Sequence, residues 1–412
     1  MTGLVTDASG VRHGLVRPPT VLPAGAAEPA GVWHASVARD DDLTLSAGGG
    51  AARGVADAEA AAVGEALERM AASIAVLPRR RRDALPPGVA SIGLRECCLH
   101  DAAQRAAPGY PYRELWRGEE WLTEAFALVD NRPIWLPAAL VGLGAEHGAA
   151  ATSSGLAADH SVVTALLRAL QELVERDALM TTWMHQLGGR QIATPHLVAE
   201  LARLGGVVEV FDLTPRFSPH PVALVAATTW LAGRPRPSIG VACRATWDAA
   251  VEKAFLECCQ GMTFVGHRLA RHPDLVGLAA EMVTDFHLHA VFYGANPTRW
   301  DDVPLRAFRR GAEPPADAPS ARRPHPEQLH ELVVSLAAAG IATSYRELTT
   351  VELDPLGLRV VRVVAPALTP LHHDHRWPYL GGRAADVEWR YPDAASRAGD
   401  RRWPSPFPHP LG

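Results

Sequence analysis

Lysine is almost missing from this 412-residue chain: Lys253 is the only one, and arginine supplies the rest of the 40 basic residues. Acidic residues number 45, so the formal net charge is −5. Proteins that hold a nucleic acid backbone usually present an excess of clustered positive charge. The charge balance therefore gives no indication of a nucleic acid partner.

Cysteine is scarce as well. The five cysteines comprise two adjacent pairs, Cys97-Cys98 and Cys258-Cys259, and the separate Cys243. They have neither the spacing of a zinc site nor the even number of a disulfide framework, and they fit a reducing compartment. No apolar run reaches the roughly 18 residues that a membrane helix needs, and the N-terminal residues lack the apolar core of a signal peptide. These absences predict a cytoplasmic protein with no membrane partner.

A phosphate-binding loop of the Walker type is missing too. The glycine-rich run at residues 46–54 (SAGGGAARG) is not followed by Gly-Lys-Ser/Thr. That loop is the commonest way of cradling phosphates with backbone N–H groups. A nucleotide site in this chain would therefore have to be built from other groups.

The chain is long enough to bury a large core, since 48% of its residues are hydrophobic. Residues 1–31 are rich in proline, glycine and alanine, which predicts an extended lead-in. From residue 32 to residue 412, predicted strands and helices alternate without a long linker. The sequence therefore predicts one α/β assembly of mixed sheets with helices packed on them, rather than separable modules.

Three segments have apolar residues at helical spacing, which predicts buried helices near 55–76, 160–183 and 247–270. Opposite each apolar stripe lies a pair of polar residues three positions apart, which places both on one helix face. The pairs are Glu65 and Glu68, Glu172 and Glu175, and Glu257 and Gln260. Each pair alone is typical of a solvated helix face. Because the pattern recurs, it also favours a cleft lined from three sides by oxygen ligands, as hard divalent ions require.

These segments resemble the three ATP- and magnesium-binding motifs of the YcaO family. The resemblance is carried by Ser46-Ala-Gly-Gly-Gly50 with residues 58–70 (AEAAAVGEALERM), by residues 153–178 (SSGLAADHSVVTALLRALQELVERDA) and by residues 250–260 (AVEKAFLECCQ). It covers roughly residues 40 to 412. It implies the α/β fold of that family, with an ATP site in a cleft between subdomains.

The resemblance also implies which residues form the site. The cofactors are ATP and Mg²⁺, and without a Walker loop the triphosphate would be held mainly through bridging magnesium, with arginine and backbone N–H groups supplying the rest. The implied metal ligands are Glu65, Glu68, Glu172, Glu175 and Glu257, and Gln260 completes the metal–phosphate shell. The implied nucleotide contacts are Ser46, Gly50, Ser153, Ser154, Ala157 and His160. The implied catalytic residues are Arg69, Arg176 and Gly412.

The last ten residues, 403–412, carry proline at positions 404, 406, 408 and 410. Alternating proline predicts a stiff polyproline II segment. A terminal PxPxP is similar to the tail of the YcaO members that form azolines, where the chain end threads back toward the ATP site. The resemblance therefore implies that the carboxylate of Gly412 acts as a base.

The implied activity is ATP-dependent cyclodehydration. A Cys, Ser or Thr side chain of a ribosomally made precursor peptide attacks the preceding carbonyl, ATP phosphorylates the resulting oxyanion, and loss of phosphate leaves a thiazoline or (methyl)oxazoline. Azoline-forming members usually work with an E1-like or ThiF-like partner protein that binds the leader of the precursor peptide. We expect such a partner here, and a homodimer is also plausible for the family.

Alternatives stay open at this point. Other members of the family form thioamides or macroamidines, and a catalytically weak scaffolding subunit is favoured by three departures from the family pattern, at Gly49, Ala61 and Thr164. The run His372-His-Asp-His375 has the residue types of a transition-metal site. We favour the other interpretation of this run, a loop packed at a peptide-binding or partner surface.

Overall fold

The computed structural model describes residues 2–22, 25, 28–38, 46–97, 99–113, 120–143, 151–303, 309–310, 313–397 and 403–412. Its helices are α1 (Thr2–Ala8), α2 (Val55–Ile74), α3 (Leu94–Cys97), α4 (Ala102–Ala106), α5 (Ala138–Val141), α6 (Val162–Met184), α7 (Pro195–Ala202), α8 (Trp247–Arg271), α9 (Phe286–Ala295), α10 (His325–Ala338), α11 (Val387–Arg390) and α12 (Ala394–Arg397). Its strands are β1 (Thr20–Leu22), β2 (Trp33–Ala38), β3 (Ser46–Ala52), β4 (Arg79–Arg81), β5 (Trp121–Ala127), β6 (Pro133–Pro137), β7 (Leu156–Asp159), β8 (Arg190–Ile192), β9 (Val207–Asp212), β10 (Val222–Leu231), β11 (Arg234–Cys243), β12 (Arg309–Arg310), β13 (Ser344–Glu347) and β14 (Arg359–Val364).

A small antiparallel sheet, in the order β1-β2-β3, carries α2 on one face. The helix lies unusually close to β3, because a Cβ added to Gly48 would lie 2.5 Å from the backbone nitrogen of Ala66. Gly50 repeats this approach one turn earlier, 2.7 Å from the backbone nitrogen of Ala62. Only glycine, which has no Cβ, allows the strand and the helix to meet at these distances.

A second sheet, in the order β11-β10-β9-β8-β12, is antiparallel except where β12 runs parallel to β8. Helix α8 packs on β10 and β11 in the same manner as α2 on β3. A Cβ added to Gly240 would lie 2.5 Å from the backbone nitrogen of Cys258. The two sheets therefore present their helices through the same close glycine contact.

The third sheet, in the order β4-β5-β13-β14-β7 with β6 paired to β5, is antiparallel throughout its described pairs. Helix α6 contacts β7 and β14 of this sheet, β11 of the second sheet and helix α10. Ser161 caps its N-terminus by accepting a hydrogen bond from the backbone of Thr164. Because α6 is covered from several sides, nearly all of its residues are buried, and it forms the centre of the largest core.

The expected mixed α/β fold is confirmed, with antiparallel pairing dominant. The three recurrent helices begin and end within a few residues of their predicted bounds. The predicted extended lead-in differs from the structure at its start, where α1 buries Ala8 and packs Leu4 and Val5 against the core beside α2. The composition of that segment gave no signal for this helix. No helix in the described ranges has the length and apolar character needed to cross a membrane.

Candidate functional site

The six polar side chains singled out on α2, α6 and α8 converge in one cluster. The negative charges of Glu68 and Glu172 act on each other across α2 and α6, and those of Glu175 and Glu257 do so across α6 and α8. Helices α2 and α8 meet at β3, where a Cβ added to Gly49 would overlap the amide nitrogen of Gln260 and lie 3.9 Å from a carboxylate oxygen of Glu65. We call these residues the acid cluster: Glu65, Glu68, Glu172, Glu175, Glu257 and Gln260.

A shared spacing explains why three separate segments deliver equivalent side chains. Gly48, Gly155 and Gly240 each precede the first member of their polar pair by 17 residues, and each is the third residue of a Ser-x-Gly run. Gly48 and Gly240 are the points at which β3 and β11 touch the helix turn that carries the acid. This spacing is a signal for the site that periodicity alone does not contain.

Burial dominates the electrostatics of the cluster. It raises the pKa of Glu68 to about 8, and the negative charges of Glu172 and Glu65 add to the shift. Burial likewise raises the pKa of Glu175 to about 8, opposed by Arg176 and reinforced by Glu257 and Glu172. The pKa of Glu172 is raised for the same first reason. The cluster therefore holds more carboxylate charge than its arginines offset, which fits a divalent cation.

Arg176 and Arg69, which the resemblance implies are catalytic, contact carboxylates of the acid cluster. The Nε atom of Arg176 lies 3.4 Å from Oε1 of Glu172 and 3.4 Å from Oε1 of Glu175. Its Nη1 atom is buried and has no hydrogen-bond partner among the described residues. Arg69 contacts Oε1 of Glu65 at 2.5 Å and donates to the backbone oxygen of Ala47. An unpartnered guanidinium nitrogen beside carboxylates is suited to an anionic oxygen such as that of a phosphate.

Arg362, on β14, is a site residue that sequence reasoning missed. Its side chain is buried and donates to the backbone oxygens of Val141 at 3.0 Å and Ser154 at 2.7 Å. Its third nitrogen, Nη2, has no partner within the described parts of the chain. Burial lowers the pKa of Arg362 to about 10, although the charges of Glu172 and Glu68 oppose this. A second buried cationic donor therefore adjoins the acid cluster.

The predicted nucleotide contacts do not all lie together. Ser153 and Ser154 are next to the cluster, since Arg362 binds the backbone of Ser154. Ala157 is buried within β7, and Gly50 faces α2. His160 is exposed and bonds the backbone oxygen of Gly357 at 3.2 Å, at the start of α6.

Glu172 lies ten residues after Val162, which is about 15 Å along the helix axis, and His160 precedes Val162 at the far end of that stretch. Ser46 begins β3, and its side chain lies outside the described part of the structure. The structure therefore places Ser153 and Ser154 beside the acid cluster, and it places His160 away from the cluster.

The proline-rich tail, residues 403–412, is held along α6. The Trp403 ring stacks on His185 at 4.1 Å between centroids, and the backbone of Ser405 donates to Met184. From the residue before Met184, the indole nitrogen of Trp183 donates to the backbone oxygen of Phe407 at 3.0 Å. The positive charge of Arg176 acts on His409. The tail therefore runs from the C-terminal end of α6 back toward the acid cluster.

The raised pKa values predict a pH-dependent response to magnesium. Because Glu68 and Glu175 hold protons up to about pH 8 in the folded chain but release them near 4.5 when unfolded, the folded state loses stability as pH rises through that window. A metal competes with those protons, so its affinity rises over the same window. We expect Mg²⁺ to raise the Tm more at about pH 9 than at about pH 6. Calorimetry with and without Mg²⁺ tests this, and an equal or larger shift at the lower pH would contradict it.

The sequence matches the family model described as YcaO cyclodehydratase, ATP- and Mg²⁺-binding, over residues 49–369. Solved structures with a similar fold include a heterocyclase in complex with substrate and cofactor, at TM-score 0.72 and 19% identity, covering 97% of this chain and 55% of that one. The chain thus spans about half the length of that heterocyclase.

Two further structures match over most of both chains. YcaO from Methanopyrus kandleri bound with AMPPCP and Mg²⁺ has TM-score 0.57 and 19% identity, covering 86% of this chain and 86% of that one. The E. coli microcin synthetase McbBCD complex contains a chain with TM-score 0.60 and 16% identity, covering 88% of this chain and 90% of that one. No curated protein matches significantly. The family match spans more than half of the sequence, so the chain belongs to the YcaO family of ATP- and Mg²⁺-dependent cyclodehydratases.

Proposed function

We propose that this chain forms thiazolines or (methyl)oxazolines from Cys, Ser or Thr residues of a ribosomally made precursor peptide. The observation that carries the proposal is the acid cluster together with one buried nitrogen each of Arg176 and Arg362 that has no partner among the described residues. Carboxylate oxygens suit Mg²⁺, and the arginines suit phosphate oxygens. A site of both kinds is built for a metal-bound triphosphate.

The chemistry needs such a site because an amide oxygen is a very poor leaving group. ATP supplies the phosphoryl group that turns it into phosphate, and Mg²⁺ held by the acid cluster neutralises charge during this transfer. Arg176 and Arg362 are placed to donate to phosphate oxygens, because each has one nitrogen without a partner among the described residues. Nε of Arg176 already donates to Glu172, and Nε and Nη1 of Arg362 donate to backbone oxygens. Their donation costs little reorganisation, since Arg176 is held by Glu172 and Glu175, and the buried Arg362 is held by two backbone oxygens.

The base is proposed to be the carboxylate of Gly412. In support, the tail is held against α6 on the way to the cluster, and Gly412 packs against α9, where a Cβ would lie 3.0 Å from the backbone oxygen of Phe286. Adding one glycine after residue 412 moves the carboxylate while keeping the tail contacts. We expect a loss of ring formation of about a hundredfold or more, in line with removal of a general base. An unchanged rate in the extended chain would exclude this role for Gly412.

A leader-binding partner is part of the proposal. The E. coli microcin synthetase McbBCD is a complex and is also described with pro-MccB17 bound. We propose that an E1-like or ThiF-like protein presents the precursor peptide to this chain. Co-purification with the proteins encoded next to it tests the partner. Full activity of the chain alone at low peptide concentration would count against one.

The direct test of function uses ATP, Mg²⁺ and, as substrate, any short Cys/Ser/Thr-rich peptide found to be encoded beside this chain. We expect each ring to remove one water from the peptide mass and to release one phosphate. Thioamide formation would instead replace oxygen by sulfur. Macroamidine formation also removes water but needs the peptide N-terminus, so an N-acetylated peptide separates the two routes. Reaction of the acetylated peptide, lost when its Cys, Ser and Thr residues are replaced by Ala, supports the azoline proposal.

The three departures from the family pattern leave the acid cluster complete. Ala61 is exposed, and Thr164 bonds a ring nitrogen of His325 at 3.0 Å near the start of α6. The backbone nitrogen of Gly49 donates to Glu65 at 2.6 Å. These contacts favour an active enzyme over a scaffolding subunit. Peptide-dependent phosphate release is the deciding measurement.

A further inference from the structure

Three buried histidines converge at a place that the acid cluster does not include. His289 lies on α9, His372 follows β14, and His409 lies on the tail. All three are at most 1% exposed, and one ring nitrogen from each lies within 4.8 Å of the other two. Residues this far apart in sequence meet only because the tail folds back between α9 and the segment after β14. We call these residues the histidine cluster.

Two of the rings are oriented by backbone carbonyls. Nδ1 of His289 lies 2.9 Å from the oxygen of His409, and Nε2 of His409 lies 2.8 Å from the oxygen of His372. A carbonyl only accepts, so these nitrogens carry the protons and the opposite nitrogens bear free lone pairs. A histidine that binds a metal typically donates its other N–H in this way.

The opposite nitrogens have no hydrogen-bond partner. This holds for Nε2 of His289 and Nδ1 of His409 among the described residues. The backbone of His373 and of Leu411 approaches the two rings, without reaching hydrogen-bond geometry at those nitrogens. Two buried lone pairs are therefore left without a hydrogen-bond donor from the described parts of the chain.

His372 is the most informative member. It is 1% exposed, and neither of its ring nitrogens has a hydrogen-bond partner in the part of the chain that the structure describes. Burying an imidazole with no partner costs free energy, and such groups in a folded protein call for an explanation. A bound metal ion supplies one, because it accepts a lone pair from each ring.

We propose that His289, His372 and His409 bind a divalent transition metal of the Zn²⁺ class, separate from the magnesium of the acid cluster. Imidazole nitrogen suits Zn²⁺, whereas Mg²⁺ prefers oxygen. His375 is the nearest further ligand: its ring lies 6.2 Å from that of His289 and 6.3 Å from that of His372, and its Nδ1 has no partner among the described residues.

Binding requires a local adjustment. Zn–N bonds of about 2.0–2.1 Å place tetrahedral nitrogens about 3.4 Å apart, closer than the 4.8 Å limit here. The rings of His289 and His409 stack at 3.7 Å with 6° between their planes. Because the lone pairs lie in the ring planes, one ring must turn to share a metal with the other. That turn is about the Cβ–Cγ bond, whose torsional preference is broad.

The metal would join the tail to two other segments. His409 lies two residues before the buried Leu411. The positive charge of Arg176, which borders the acid cluster, acts on the His409 ring. A bond from His409 to a metal on α9 and on the segment after β14 would fix the tail beside the acid cluster. This role is structural and is independent of the identity of the product.

The test is a metal titration of the purified full-length chain after chelation. Excess Mg²⁺ is present throughout, so that oxygen ligands are occupied. We expect one equivalent of Co²⁺ to bind with the visible absorption of a nitrogen-ligated ion, to be displaced by Zn²⁺, and to be lost in His372→Gln and His409→Gln. The matched control is His373→Gln, which alters the neighbouring histidine, whose ring bonds the hydroxyl of Tyr112 at 2.9 Å. This control and Glu172→Gln should bind as the wild type does.

X-ray absorption of the wild-type chain loaded with one equivalent of Zn²⁺ keeps the proposal falsifiable if the variants fold poorly. Nitrogen neighbours at about 2.0 Å support the histidine cluster. A shell of oxygen neighbours only, no stoichiometric Co²⁺ binding, or binding that survives both His372→Gln and His409→Gln would each overturn the proposal.

Discussion

Replacing Glu175 by glutamine is expected to lower ring formation about a thousandfold, since loss of a metal ligand removes several kcal/mol of charge stabilisation from phosphoryl transfer. The amide keeps the shape of the side chain and one hydrogen-bond acceptor, so the backbone of Cys243 keeps its contact. Glu172→Gln should act in the same way. Both are checked by the rate of water loss from the precursor peptide together with phosphate release.

The thermal stability of Glu175→Gln distinguishes a lost ligand from a damaged fold. Burial and neighbouring acids make ionisation of Glu175 unfavourable, as its raised pKa shows. The neutral amide removes that cost, so we expect no drop in Tm without Mg²⁺ at alkaline pH, and a smaller rise on adding Mg²⁺. A variant that keeps a tenth of the wild-type rate would contradict the assignment.

The matched control is Glu252→Gln, on the same helix as Glu257. Its carboxylate pairs with Arg53 at 2.8 Å, with side chains 41% and 43% exposed. Exposed ion pairs contribute about 0–1 kcal/mol. Like Glu175→Gln, this variant removes one carboxylate, here from α8. Ring formation should nevertheless stay at the wild-type level.

The second large effect is on stability. Asp177, next to Arg176 on α6, forms a fully buried ion pair with Arg390 on α11, at 2.6 Å and 2.8 Å from its two oxygens. It also accepts from the backbone of Thr369. Asp177→Ala leaves the Arg390 charge buried without its partner, and we expect a loss of about 3–5 kcal/mol in the free energy of unfolding. Urea denaturation measures it.

Two further variants show whether the loss of stability comes from the buried unpaired charge. The double change Asp177→Leu with Arg390→Met removes both charges and should recover much of the stability, because apolar residues often replace a buried pair without loss. Arg323→Met breaks an exposed pair with Glu327, whose side chains are 67% and 56% exposed, and should change stability by less than about 1 kcal/mol. A loss for Asp177→Ala as small as that of Arg323→Met would show that the buried pair does not hold α6 and α11 together.

The main helices and their acid pairs could be predicted from the sequence, because both depend on residues close to one another along the chain. Apolar periodicity places α2, α6 and α8, and the spacing of three residues puts each acid pair on one face. Convergence of the three faces is a tertiary fact, for which the resemblance was needed.

Arg362 could not be found in the same way. It is a single arginine in the apolar strand β14, where alternation is equally consistent with a side chain in solvent. Its partners Val141 and Ser154 contribute backbone oxygens. Every residue has such an oxygen, so the types of side chain in the sequence do not indicate these contacts.

The histidine cluster shows the same limit. The run His372–His375 is visible in the sequence, but its partners His289 and His409 come from a helix and a tail that no periodicity connects with it. The direction of the tail along α6 was available only through the family resemblance. Local patterns therefore identified ligand types, and the fold decided which of them meet.

The glycines at the strand–helix contacts have a consequence for how the enzyme tolerates change. At Gly48 and Gly240 the spacer between β-sheet and helix is a single hydrogen atom. Even one methyl group there would push the helix away from the strand. The carboxylates on that helix would then move away from those on the neighbouring helices. The geometry of the acid cluster thus depends partly on the absence of a side chain at these two positions. Substitution of either glycine should inactivate the enzyme although no residue of the cluster is changed.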